Sequence, residues 1–191
     1  MTMRFLALAG TLLLSGCISS GPKRVDLSMT SFSYSPVLIT QADIADVYRE
    51  PIPTVRFGMA DIEAPRSTET MSLTRPLSGT DEFQITAQWV ELLTNRAWQA
   101  SVTVDPRELT TIRDDRVDLI LIFGANGHLV IGSDDDSKHI NKDVAETCGL
   151  RVPEADRDVA AEANAHAKLA SALAFEYPPV PTDAPCLEAA Q

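Results

Sequence analysis

Residues 118–131 read Asp118-Leu-Ile-Leu-Ile-Phe123-Gly-Ala-Asn126-Gly127-His128-Leu-Val-Ile131. Two apolar runs flank an Asn-Gly dipeptide, which tolerates the positive φ angles of a type I′ turn, so the stretch predicts a β-hairpin. Leu119 to Phe123 is continuous rather than alternating. A strand of that kind is apolar on both faces, which places it at the centre of its sheet and under cover on each side.

Strand patterns continue on the N-terminal side. Phe83, Ile85, Ala87 and Trp89 alternate with polar residues, and so do Trp98, Ala100, Val102 and Val104. Thr94-Asn95-Arg96 lies between them, so a second hairpin is expected, with both tryptophans in phase with the core-facing residues rather than exposed as a binding platform. Asp105-Pro106-Arg107-Glu108 combines an N-cap with proline at the first helical position and reads as one helical turn. Val25, Leu27 and Met29 alternate as a strand. So do Val55, Phe57 and Met59, and after the break at Ala64-Pro65-Arg66-Ser67 the residues Met71 and Leu73 suggest the returning strand. Thr40-Gln41-Ala42-Asp43 has the form of a capping box, with Ile44, Val47 and Tyr48 at helical spacing before Pro51, so a short helix is expected there.

The C-terminal third changes character. Residues 154–175 are rich in Ala, Glu and Arg, with Val159, Ala163, His166, Ala170 and Leu173 on one stripe of a helix. Pro178, Pro179, Pro181 and Pro185 then form an extended tail ending near Cys186. These elements together predict one α+β domain over residues 25–191, an antiparallel sheet of five to seven strands with the C-terminal helix packed on one face.

The N-terminus decides location. Arg4 precedes an apolar run, Phe5–Leu14, about 15 Å long as a helix. It is too short to span a bilayer core of about 30 Å and suits the apolar region of a signal peptide. The run ends in Leu14-Ser15-Gly16-Cys17, followed by the polar stretch Ser19-Ser20-Gly21-Pro22. Leu14-Ser15-Gly16-Cys17 resembles the lipobox of bacterial lipoproteins. The resemblance implies removal of residues 1–16, a diacylglyceryl group on the Cys17 thiol and acylation of the new amine. Residues 17–24 would then form a lipidated tether, and membrane lipid would be the first partner. Two or three acyl chains hold a protein far longer than one. In that family, Asp after the cysteine retains the protein at the inner membrane. Ile18 stands there, which implies the outer membrane, with the domain facing the periplasm.

The chain has 191 residues, 16 basic and 27 acidic, for a net charge of −11. The signal peptide would take one basic residue, Arg4, and no acid. Such an acidic surface argues against nucleic acid, which demands clustered Lys and Arg. The exception is Lys23-Arg24 beside the anchor, where about 1 kcal/mol each from anionic lipid is expected. With Cys17 lipidated, Cys148 and Cys186 are the two cysteines left, in a compartment that permits disulfides. We read them as a disulfide rather than a free thiol or a metal site, since neither lies in a CxxC or beside a histidine.

Chemistry-bearing motifs are sparse. There is no GxSxG. Gly132-Ser133-Asp134 with His139 nearby reads as a polar loop rather than a catalytic pair. Asp134-Asp135-Asp136 lacks the alternate acids, glycine and distal glutamate of a calcium loop, and reads as a solvated loop. His128, His139 and His166 have no metal-binding spacing. His128 is expected to be exposed beside its turn, and His166 to be a half-buried boundary residue on the helix stripe with a satisfied hydrogen bond. No catalytic residue, metal site or cofactor is expected.

Three stretches carry a further likeness: Arg56-Phe-Gly-Met with Ala64-Pro65, Gln88-Trp89 through Trp98 to Val104-Asp-Pro-Arg-Glu108, and Leu121-Ile-Phe-Gly-Ala-Asn-Gly127-His-Leu-Val130. In this order they resemble a family of proteobacterial lipoproteins of unknown function, over roughly residues 55–133. This chain departs from it in having Ala-Asn-Gly at the hairpin and in lacking a later Gly-Pro-Cys stretch. The family brings no catalytic residues. The reading reached from sequence is an outer-membrane lipoprotein serving as a binding or envelope-associated module, not an enzyme. Some members of the family are thought to be immunity proteins against secreted lipases, which gives the alternative. The tryptophan strand is also similar to that of the β-sandwich lipoprotein of type VI secretion, which gives a second alternative, an accessory protein of a secretion system. Each alternative implies a protein partner in the envelope.

Overall fold

The computed structural model describes residues 23–187 other than 46, 50–52, 59, 62–64, 67–68, 78–80 and 114. Cys17 and the lipobox lie outside the described residues. Twelve strands are described: β1 (Arg24–Ser31), β2 (Val37–Ile44), β3 (Tyr48–Arg49), β4 (Thr54–Arg56), β5 (Thr70–Ser72), β6 (Phe83–Glu91), β7 (Ala97–Val104), β8 (Thr111–Arg113), β9 (Arg116–Phe123), β10 (His128–Asp135), β11 (Ile140–Cys148) and β12 (Leu150–Arg151).

They form two sheets of six strands, which corrects the single helix-covered sheet expected from the sequence. One sheet runs β11-β10-β9-β1-β5, with β8 beside β9, and the other runs β12-β7-β6-β2-β3, with β4 also on β2. The pairing of β1 with β9 is parallel, and the other described pairings are antiparallel. The alternating strands of both sheets turn their apolar faces to each other. Leu27, Leu119, Leu121 and Phe123 meet Ile39, Ile85, Trp89 and Trp98 in one buried cluster. Trp89 meets Phe123 edge-on across the gap, with ring centroids 5.2 Å apart.

β9 explains its own continuous run. Leu119, Leu121 and Phe123 face the second sheet, while Ile120 and Ile122 lie on the outer face under Phe32, Ala60 and Val130. The expectation of a central strand covered on both faces holds. Both hairpins form, with Trp89 opposite Trp98 in one and Phe123 opposite Leu129 in the other. Asn126 (φ 58°) and Gly127 (φ 80°) take left-handed conformations, and the His128 N–H donates to the Ala125 carbonyl, as a type I′ turn requires. The Asp105 side chain caps the turn Pro106–Glu108.

Four further expectations are corrected. The predicted helix after Thr40 is strand β2. Ile44 ends β2 and Tyr48 begins β3, so the helical spacing of Ile44, Val47 and Tyr48 comes from the turn between these strands, where the Val47 N–H donates to the Ile44 carbonyl at 3.0 Å; β2 itself carries a bulge between Ile39 and Gln41. The Thr40 hydroxyl donates to the Gln88 carbonyl at the bulge, at 3.1 Å. β5 pairs with β1 rather than returning beside β4. β10 continues through the residues read as a polar loop, and Ser133, Asp134 and Asp135 are buried.

Finally, the long helix is broken. It becomes a turn Pro153–Ala155, helix α1 (Val159–Glu162), a turn Ala163–Ala165 and helix α2 (Ala167–Leu173). These pieces bury Val159, Leu169 and Ala172 on the outer face of the second sheet, against Leu38, Val90, Leu92 and Ala97. At about 100° per residue a straight helix would set Val159 and Ala172 about 220° apart. The extended backbone at His166 (φ −133°, ψ 99°) resets the phase, so both can face the sheet.

The sandwich is closed along one side and open along the other. At the closed side the chain passes from β11 to β12, from one sheet into the other, through buried Gly149. The Cys148–Cys186 disulfide, Cα–Cα 5.5 Å, ties the proline-rich tail to this corner. At the open side, β5 ends the first sheet while β3 and β4 share the free edge of β2. After β4, the described residues Gly58, Ala60 and Arg66 form a strap on the first sheet: Gly58 lies beside Thr30 and Ser31, Ala60 packs on Ile120 and Ile122, and Arg66 pairs with Asp134.

Candidate binding groove and buried carboxylates

Three cavities adjoin one another around β4, at the open seam. The first, about 590 Å³, lies between Leu38 and Val55 of the second sheet and Leu169 of α2, with His166 at its wall. Its polar wall includes the ion pair Arg157–Glu162, in which Arg157 Nε donates to Glu162 Oε1 at 2.9 Å. The second, about 290 Å³, is bounded by Met29, Arg56, Phe57, Glu69, Lys168 and Ser171. The third, about 390 Å³, reaches toward the sandwich core at Leu27, with Tyr48, Arg49 and Met71 around it. Val55 and Lys168 line both the first and second cavities, and Arg56 and Glu69 both the second and third. Volumes in this range are those of small-molecule sites.

The charges along this groove are unevenly matched. Arg49 is held by Asp43, Nε to Oδ1 at 2.8 Å. Arg56 has a weaker hold: its Nη1 is 3.9 Å from Glu69 Oε2, and the Glu69 side chain is 81% exposed. Arg56 Nε is buried with no hydrogen-bond partner among the described residues. Lys168 likewise has no ion-pair partner among them. Two cationic groups with spare hydrogen-bonding capacity therefore line one cavity of a protein whose net charge is −11. Phe57 and Phe175, both exposed, meet beside it with ring centroids 5.4 Å apart.

A second polar cluster lies under the strap. Arg66 reaches over the outer face of the first sheet, and its Nη2 donates to Asp134 Oδ1 at 3.0 Å. Its backbone N–H donates to the other oxygen of Asp134, its Nη1 to Asp143 at 2.5 Å and its Nη2 to the Lys142 carbonyl at 3.0 Å. The Asp134 N–H donates to Asp118 Oδ2 at 2.7 Å. Burial pushes the Asp118 carboxyl up to about 7, and the charges of Asp134, Asp136 and Asp26 push the same way. This cluster is closed, with both Arg66 and Asp134 almost wholly covered. Its chemistry is that of a lock between strap and sheet.

Ser133 belongs to this lock rather than to a catalytic pair. Its hydroxyl donates to the Asp118 carbonyl and accepts from the Thr110 N–H, both at 2.7 Å, while His139 is exposed. His128 is buried, not exposed as expected: it stacks on Phe32 with centroids 6.0 Å apart, and its Nε2 lies 3.1 Å from Glu146. His166 is exposed. Among the described residues no three His, Cys, Asp or Glu side chains gather as metal ligands, and no helix is long and apolar enough to cross a membrane.

Sequence reasoning missed Arg56, Arg66 and Lys168. Arg56 fell at a polar position of an alternating strand, Arg66 inside a turn signal and Lys168 inside a helix pattern. None carries a local mark, because each acquires its role from a segment far away in the chain. The chain matches no protein-family model, no curated protein and no solved structure.

Proposed function

We propose that the protein is an outer-membrane lipoprotein, anchored through acylated Cys17 and facing the periplasm, whose β-sandwich is a binding module and not an enzyme. The observation that carries the binding role is the groove around β4, where incompletely paired cations border an apolar cavity wall. The lipobox resemblance at Leu14–Cys17 and the disulfide support the compartment.

The anchor is tested by feeding cells an alkyne-tagged palmitate. Wild type should carry the tag, sediment with membranes and begin at Cys17. The Cys17→Ser variant should do none of these, and a tagless wild type would end the lipoprotein reading. The binding role is tested by hydrogen exchange of the full chain in native outer-membrane vesicles and in synthetic phospholipid nanodiscs. Slower exchange at Thr54–Arg56 and Ala167–Leu173 in the native envelope is expected. Equal exchange in both settings would count against an envelope ligand in the groove.

A further inference from the structure

We infer that the β4 groove takes a single-chain anionic lipid, a fatty acid whose carboxylate sits between Arg56 and Lys168 and whose chain lies along Val55 toward Leu169. This deepens the binding-module reading and rests on it. Three observations lead to it. The second cavity has a buried guanidinium Nε without a partner and an unpaired ammonium, and a buried donor left without an acceptor costs about 1–3 kcal/mol. A carboxylate is the simplest group that accepts from both, and a guanidinium donor to a carboxylate is among the stronger hydrogen bonds in proteins.

The wall then changes chemistry in one direction. From Lys168 the groove passes Val55 into the larger cavity, where Leu38, Leu169, Ala165 and Ala167 supply an apolar lining. Each methylene buried there contributes about 0.8 kcal/mol. A head that wants cations and a tail that wants hydrocarbon, in adjoining cavities, describe an amphiphile.

Charge decides the sign of the head. The net charge of −11 repels an anion at long range, but within a Debye length of about 8 Å the near cations dominate. Glu69 does not reverse this, since its carboxylate is 81% exposed and shares the rim with both cations. A cationic headgroup would face Arg56 and Lys168 with only the exposed Glu69 to offset them.

The test uses the full-length protein in outer-membrane vesicles and two photoactivatable, clickable probes of equal chain length, a fatty acid and the corresponding fatty alcohol. The acid should crosslink to peptides containing Val55 and residues 165–169, about tenfold above the alcohol, as expected for one charge-assisted contact. Lys168→Glu and Arg56→Gln should each bring the acid down to the level of the alcohol. Ala167→Trp, which fills the tail cavity, should remove labelling by both. Lys168 and Ala167 are exposed, so those variants leave the core untouched, and an intact Cys148–Cys186 disulfide reports the fold. Equal labelling by acid and alcohol would overturn the headgroup assignment, and absence of labelling in the groove would overturn the proposal. If the exchange experiment still showed envelope protection, the binding-module reading would stand with another ligand. If it did not, both would fall.

Discussion

Gly127 lies flat against the indole of Trp98: a Cβ added to it would meet Trp98 Cε3 at 2.5 Å. The turn of one hairpin is thereby seated on a buried ring of the other, and the Gly149 N–H donates to the Gly127 carbonyl at 2.8 Å. Two constraints act at this residue. The φ of 80° disfavours any side chain by roughly 1 kcal/mol or more, and the ring leaves no room for one. Overpacking adds about 1–3 kcal/mol. Gly127→Ala should therefore lower stability by about 2–4 kcal/mol, and Gly127→Val by more. Urea midpoints equal to wild type would mean that the turn does not sit on Trp98. Glu176→Ala, exposed after α2 and without an ion pair among the described residues, is the control and should change stability by less than about 0.5 kcal/mol.

The Arg66–Asp134 pair should behave as a buried lock. Removing one partner of such a pair costs about 3–5 kcal/mol, because the other charge stays buried. Arg66→Ala leaves Asp134 hydrogen-bonded to Asp118 with no cation between strap and sheet, so a loss of that size is expected. The double variant Arg66→Met with Asp134→Leu should recover much of it, since apolar replacements of similar volume often restore stability. Additive losses in the double-mutant cycle would show that the two groups are not coupled.

Stability should depend on pH through Asp118. Its carboxyl is raised from the usual range near 4 to about 7 by burial, so the folded state holds the proton more tightly than the unfolded chain does. The stabilisation is complete below about pH 4 and is lost as pH rises through about 7. At 1.4 kcal/mol per pH unit, the upper bound across this window is about 4 kcal/mol. The thermal midpoint should fall between pH 5.5 and 8.5. Asp118→Asn keeps an acceptor for the Asp134 N–H and should flatten that fall. A variant with the same slope as wild type would assign the dependence elsewhere.

The disulfide should matter chiefly to the tail. Closing 38 residues stabilises by roughly 4 kcal/mol in the chain-entropy model. Between Pro178 and Leu187 the one buried residue is Ala184, so little else secures the segment. Cys186→Ser should lower stability by about 2–4 kcal/mol and open residues 178–187 to protease before the sheets are cut. Two free thiols in the unfolded, unreduced wild type would contradict the pairing, and an uncut tail in the variant would contradict its role.

The sequence by itself determined the parts of this protein that are local. The two hairpins, the position of Leu119–Phe123 inside its sheet, the positive φ at Asn126-Gly127, the capped turn at Asp105 and the pairing of Cys148 with Cys186 all followed from short patterns or from elimination. The tertiary structure decided what those parts face. Alternation in Phe83–Trp89 says that one side is buried, and a helix or a second sheet would produce the same alternation. That is why a helix-covered sheet was expected where a sandwich stands. The turn between Ile44 and Tyr48 imitated a helical period, and the parallel pairing of β1 with β9 joins residues about ninety apart, a distance over which no periodicity carries information. The lock of Arg66 on Asp134 and the groove of Arg56 and Lys168 arise the same way. A charged side chain looks alike in sequence whether water or a carboxylate 68 residues away receives it, and only the folded chain settles which.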